Sequence, residues 1–159
     1  MANRRQSDLQ SAALYNASRR HQIAVAVIVI DIDHFKAIND RYGHQTGDRV
    51  IQAVASCVRT HLRTEDVGAR WGGDEFVLVL PYVGVVGATL VAERLRKTIA
   101  STAIDEGGDA PLRVTVSIGV AAEVEDADPA ELLTFADIAL YLAKNRGRNR
   151  VEPFVAPTP

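Results

Sequence analysis

Eight consecutive apolar positions, "IAVAVIVI" at Ile23–Ile30, run without a polar residue among them. Short, β-branched and unalternating, the run predicts a central strand covered on both faces and ending at Asp31. The period then changes. "DHFKAINDRYGHQTGDRVIQAVASCVRTHLR" reads as a short helix, a glycine-containing loop and a longer amphipathic helix with Val50, Ile51, Val54, Val58 and Leu62 on one side. "VGARWGGDEFVLVLP" holds two short apolar runs about Gly72 and Gly73, which predicts a β-hairpin whose tip carries Asp74 and Glu75. A helix in "VGATLVAERLRKTIAS", a polar loop in "DEGGDAP" and a strand in "LRVTVSIGVAAE" follow. A last helix spans about Pro129 to Asn145, and a short strand lies around Val151 to Phe154. Ahead of all this, Ser7 and Gln10 have capping-box spacing, which predicts an N-terminal helix; residues 155–159, "VAPTP", read as a tail or linker. Helices and strands alternate except at the hairpin, so the class is α/β (α+β), a mixed sheet covered by helices.

Composition narrows the reading. At 159 residues and 47% hydrophobic content, the chain (1–159) suits one domain with a sizeable core. A formal net charge of -2 gives no global basic field for nucleic acid or an anionic membrane surface, so an anionic ligand must be held locally. The apolar run at Ile23–Ile30 is far short of the roughly 20 residues that a membrane helix needs, and the N-terminus does not read as a signal peptide. A cytoplasmic location without membrane contact is therefore expected. The one cysteine, Cys57, falls in the helical pattern and reads as a small buried hydrophobe.

Asp31 and Asp33 flank Ile32 where the first strand runs out, and their period-two spacing aims both carboxylates to one side. Alone, "DID" is equally compatible with a helix cap at Asp33 and a solvated turn at Asp31. The hairpin tip "WGGDEF" supplies context: adjacent glycines allow close backbone approach or positive φ, although an ordinary Gly-Gly turn reads the same way. If the hairpin pairs beside the first strand, Asp74 and Asp31 converge as hard oxygen ligands, which suit Mg²⁺ or Mn²⁺ rather than zinc. Because Mg²⁺ is held by one or two carboxylates plus substrate phosphates, the expected ligand is a nucleoside triphosphate and the reaction class phosphoryl transfer.

Both segments also closely resemble the GGDEF-domain diguanylate cyclases: "RWGGDEF" at Arg70–Phe76 and "DIDHFKAINDRYGHQTGD" at Asp31–Asp48. "RTED" at Arg63–Asp66, "AERLR", "VTVSIGVA" at Val114–Ala121 and "ADIALYLAKNRGRNRV" extend the resemblance over nearly the whole chain. It implies a largely antiparallel five-stranded sheet wrapped by helices, like nucleotide cyclases and polymerase palms. It also implies the condensation of two GTP molecules to cyclic di-GMP and pyrophosphate by a homodimer. Position by position, Asp31, Asp74, Glu75 and the Ile32 carbonyl would face the metal. Asp74 or Glu75 would help remove the proton of the attacking ribose 3′-hydroxyl. Asn39 and Asp48 match the guanine-binding positions, and a carboxylate accepts from both the ring N–H and the exocyclic amine. His44 is a further GTP contact or an idle loop histidine. Free N–H groups from His34 through Phe35 to Lys36, with the Lys36 ammonium beside them, would cradle phosphates together with Gly72 and Gly73. Lys144 and Arg148 match further triphosphate contacts, where the plain alternative is cations at a helix C-terminus.

Arg63 and Asp66 as a bare pair would be an exposed ion pair of little worth. Their place, with five residues between Asp66 and Gly72, matches the family's product-inhibition site, and Arg94 matches its second arginine. The family's usual opening is reduced to Asn3, Arg4 and Arg5, so the chain reads as N-terminally trimmed. The competing reading is a catalytically idle GGDEF domain that binds GTP or cyclic di-GMP as a receptor.

Overall fold

In the computed structural model, residues 23–122 and 127–156 are described; the helix expected before Ile23 lies outside them. The elements run β1 (Val25–Ile32), α1 (Phe35–Tyr42), α2 (His44–His61), β2 (Val67–Arg70), β3 (Glu75–Pro81), α3 (Val85–Ser101), β4 (Val116–Ala122), α4 (Pro129–Asn145) and β5 (Val151–Pro153). The strand order is β2-β3-β1-β4-β5. The β2–β3, β3–β1 and β1–β4 pairings are antiparallel and β4–β5 is parallel. The sheet is thus mixed and largely antiparallel, as expected.

β1 is buried along its full length because helices cover both of its faces. Ala26, Ile28, Ile30 and Ile32 share a core with Val50, Val54 and Val58 of α2 and Ala92, Leu95 and Ile99 of α3. Their alternates Val25, Val27 and Val29 pack with Leu132, Ala136 and Leu140 of α4. Burying each Val, Leu or Ile contributes about 1.5–3 kcal/mol. α4 lies so close to the sheet that a Cβ at Gly119 of β4 would collide with the Ala136 carbonyl oxygen and the Leu140 amide nitrogen. At its start, the Glu131 N–H donates to Asp128 and the Glu131 carboxylate accepts from the Asp128 N–H. This closed capping box fixes where the helix begins.

Two boundaries differ from the sequence reading. β1 continues through Asp31 to Ile32, because both residues still pair with β4. The loop between the first two helices shrinks to Gly43 at φ 87°, so His44 opens α2 and Asp48 sits inside it. A left-handed glycine lets the chain reverse in one residue.

Candidate active site

Two stripes meet between the sheet and α4. On β1 the period-two stripe Val25, Val27, Val29 ends in Asp31; on α4 the four-residue stripe Leu132, Ala136, Leu140 ends in Lys144. Where the apolar contacts stop, Lys144 Nζ lies 2.9 Å from Asp31 Oδ2, with side-chain exposures of 33% and 12%. β3 brings Glu75 directly opposite Asp31 in the antiparallel register. Directly opposed residues share a face, and like charges there repel. The Ile32 N–H donates to the Asp74 carbonyl at 3.1 Å, which fastens the hairpin tip to the end of β1.

The electrostatics follow from this crowding. Burial lifts the Asp31 carboxyl above its ordinary pKa; the Lys144 hydrogen bond and charge pull it back, and Asp74 and Asp33 push it up. The net shift is upward, so burial outweighs the ion pair. Glu75 is raised by burial first and then by Asp31 and Asp137, with Lys144 opposing and Asp74 adding to the rise. Asp137 on α4 is also raised by burial, against the pull of Lys144. Perturbed carboxyls clustered at a strand end mark a candidate site.

The tip is braced in a way the sequence reading missed. Arg70 Nε donates to the Gly72 and Gly73 carbonyls at 3.1 Å each, and its Nη2 donates to Gly73 at 2.7 Å. The Trp71 N–H donates to the Glu75 carbonyl at 2.8 Å. Neither Gly72 nor Gly73 takes positive φ, which corrects half of that expectation. A Cβ at Gly73 would meet nothing within 4 Å, whereas one at Gly72 would lie 3.1 Å from Glu75 Oε2, so close approach is seen at Gly72 alone.

Asp33 corrects the helix-cap alternative. The residue before α1 is His34 in the left-handed region, with no side-chain cap. Asp33 itself is buried and accepts from Ser117 Oγ at 2.6 Å, Thr115 Oγ1 at 2.7 Å and the Asn149 N–H at 3.0 Å.

Apart from the acids, α1 and α2 form a second locus. Asn39 Oδ1 is buried without a hydrogen-bond partner among the described residues, and a Cβ at Gly47 would collide with it and lie 3.3 Å from Phe35 Cζ. Asp48 is exposed beside Gly47. The structure therefore gathers Phe35, Asn39 and Asp48 around Gly47, a residue that sequence reasoning did not single out. An orphaned amide oxygen on one helix and an exposed carboxylate at the start of the next suit a planar ligand carrying N–H donors. Lys36 and His44 are exposed at the starts of α1 and α2. Arg148 is exposed in the turn after α4. The ion pairs among the described residues are Arg96–Glu93, Lys144–Asp31, Arg146–Glu152 and Arg150–Glu152, so Lys36 and Arg148 form none.

"RTED" lies at the far end of the hairpin, ahead of Val67, which pairs with Val79. Its Asp66 Oδ2 accepts from the Arg63 N–H at 2.8 Å and makes no ion pair with the guanidinium among the described residues. Burial raises the Asp66 carboxyl, with the Arg63 N–H opposing. Arg63 is exposed, and so is Arg94, which lies on α3 one turn ahead of Thr98; the Thr98 hydroxyl is 3.3 Å from His61 Nε2.

The family model for the diguanylate cyclase GGDEF domain matches residues 1–150. The chain belongs to the GGDEF family. It is 41% identical over 137 residues to diguanylate cyclase A of Treponema denticola, covering 86% of this chain and 37% of that protein. To the uncharacterized protein YhcK of Bacillus subtilis it is 40% identical over 151 residues, covering 94% of this chain and 42% of the relative. The chain thus spans less than half the length of these relatives. Among solved structures, the GGDEF domain of DgcB from Caulobacter crescentus, in complex with c-di-GMP, superposes with a TM-score of 0.91 at 32% identity, covering 96% of this chain and 91% of that one. As in those GGDEF domains, the fold is α+β. No helix among the described residues is long and apolar enough to cross a membrane.

Among the described residues no three His, Cys, Asp or Glu side chains form a metal-binding group. The donor set still fits a hard cation. Asp31 and Asp74 supply two carboxylates at a strand end where, among the described residues, Lys144 is the cation paired with Asp31. Mg²⁺ asks for no more than one or two carboxylates when phosphates complete its shell.

Proposed function

We propose that this GGDEF domain is a diguanylate cyclase that joins two GTP molecules into cyclic di-GMP with release of two pyrophosphates, acting as a homodimer with Mg²⁺ or Mn²⁺. The observation that carries the reading is Asp31 at the end of β1, directly opposite Glu75 and 2.9 Å from Lys144 Nζ, with the Asp74 charge near enough to raise both carboxyls. Asp31 and Asp74, with the Ile32 carbonyl, would hold the metal, which when bound polarises the α-phosphate and neutralises charge on the leaving pyrophosphate. Lys144 then leaves Asp31 for the triphosphate, which Arg148 and the N–H groups of the His34–Lys36 segment also hold. Lys36 sets its ammonium beside those phosphates. Asn39 and Asp48 accept the guanine N–H groups, His44 borders the same ligand, and Phe35 walls the pocket.

Glu75, whose carboxyl is raised toward the operating range, is apt to receive the proton from the attacking 3′-hydroxyl. One chain presents one guanine locus and one acidic end, whereas the product needs two of each, so two chains must face one another. Arg63, Asp66 and Arg94 would bind the cyclic product and hold the chains in an unproductive arrangement. The domain works in the cytoplasm, where GTP is available, without membrane contact or nucleic acid of its own.

The test is to incubate the purified chain with GTP and Mg²⁺, resolve the products by chromatography, and run a chelator control and Asp74→Ala alongside. Cyclic di-GMP that disappears in both controls supports the proposal. GTP binding without product, even when the chains are joined by a fused dimerisation segment, would leave a receptor and sink the catalytic reading.

A further inference from the structure

Asp33 is 4% exposed, yet it forms no ion pair among the described residues. Its carboxylate is held by three uncharged donors: Ser117 Oγ on Oδ1, and Thr115 Oγ1 and the Asn149 N–H on Oδ2. Hydrogen bonds to an ionised acceptor are among the strong ones, so this side chain ties together the end of β1, the entrance to β4 and the exit from α4. That exit is unusual. Gly147, Arg148 and Asn149 take φ values of 114°, 62° and 46° in succession, and two of the three carry a Cβ. L-residues seldom adopt this conformation, and such a turn persists only where its surroundings over-determine it. Four contacts hold it: the Gly147 N–H on the Lys144 carbonyl at 3.4 Å, the Arg148 N–H on the Ala143 carbonyl at 3.0 Å, Arg96 Nη1 on Asn149 Oδ1 at 2.7 Å, and the Asn149 N–H on Asp33. In the middle stands the exposed Arg148, four residues beyond the Lys144 that Asp31 holds, its guanidinium in no ion pair among the described residues.

We propose that Asp33 is a positioning residue for the cationic half of the site: through the Asn149 N–H it fixes the left-handed turn that aims Arg148 at the triphosphate. The inference rests on the reading of Arg148 as a triphosphate contact. The two acids of "DID" then divide their work. Asp31 faces the reacting groups, and Asp33 organises the backbone that presents a phosphate ligand. A guanidinium carried on a fixed turn loses less freedom on binding, and this is how a residue that never touches GTP alters its affinity.

The test is a double-mutant cycle read by equilibrium binding of a non-hydrolysable GTP analogue with Mg²⁺ to the wild type, Asp33→Asn, Arg148→Ala and the double variant. Each single change is expected to weaken binding about tenfold, and the double variant to be no more than about threefold weaker than either single, since both act through one contact. In turnover, Asp33→Asn should raise KM for GTP while kcat stays within about twofold, a split that general loosening of the fold does not give. Wild-type affinity in Asp33→Asn, or full additivity with Arg148→Ala, overturns the assignment. Should Asp33→Asn fail to fold by circular dichroism, Thr115→Val and Ser117→Ala each remove one donor. Affinity lost in these variants but not in the Arg148→Ala background supports the assignment; wild-type affinity in both overturns it. Absence of analogue binding by the folded wild type would instead overturn the GTP reading, and this inference with it.

Discussion

The contact between α4 and the sheet has two halves with the same geometry and opposite chemistry. In one, Leu132, Ala136 and Leu140 lie on Val25, Val27 and Val29. In the other, the same two stripes continue as Lys144 on Asp31, with Glu75 opposed across the β1–β3 pair. The apolar half gains free energy from burial and is indifferent to pH. The ionic half holds carboxyls whose charged forms are disfavoured by burial and by one another. The difference teaches where the fold is anchored and where it is poised: a cationic or cation-bearing ligand relieves the ionic half and has nothing to offer the apolar one.

The largest break in this comparison should come from Asp31→Ala. Turnover of GTP is expected to fall by about a thousandfold, while the melting temperature stays near that of the wild type, because the partly exposed Lys144 can reach water. A folded variant with unchanged turnover would remove the ionic half from the chemistry. On the apolar side, Gly119→Val forces a side chain into the α4 backbone and should cost about 3 kcal/mol, lowering the melting temperature by roughly 6–12 °C. Calorimetry checks it, and an unshifted melt would deny the close approach.

Gly47→Ala should displace the Asn39 amide and raise KM for GTP about tenfold with little change in kcat. The smallest effect sharpens the electrostatics. The folded carboxyl of Glu75 lies above its unfolded value, so the unfolded chain gives up its proton first. Stability therefore falls as pH rises from the unfolded carboxyl range, near 4.3, through the folded pKa, and the loss is complete above it. Glu75→Gln should raise the melting temperature at neutral pH by about 2 °C and leave it unchanged near pH 3, as thermal scans at both pH values would show. A lower melting temperature at neutral pH would contradict this account.

Much of this could be read from the chain. The unalternating "IAVAVIVI" announced a strand buried on both faces, and "GG" between apolar runs announced the hairpin, because both patterns are local consequences of burial and turn chemistry. The convergence of Asp31 with the hairpin tip followed once pairing was assumed. Other features depend on tertiary placement. Asp33 has the same spacing whether it caps a helix or anchors a turn at Asn149, and only the fold brings that N–H to it. Gly47 resembles any helical glycine until Asn39 is set against it. The match of Arg70 to two glycine carbonyls could have been suspected from an arginine so close to "GG", but the direction of its side chain is fixed by the hairpin. Leu132, Ala136, Leu140 and Lys144 carry a legible signal: a four-residue stripe that turns cationic at its last member.

The central claim is that two copies of the acidic end act on two GTP molecules. It is tested most directly by specific activity at fixed GTP and Mg²⁺ across a wide range of enzyme concentration. The account predicts cyclic di-GMP formed per mole of chain that rises with concentration and then levels off as dimers fill. Specific activity that stays constant as the enzyme is diluted far below any dimer dissociation constant, or no product at any concentration, would contradict it.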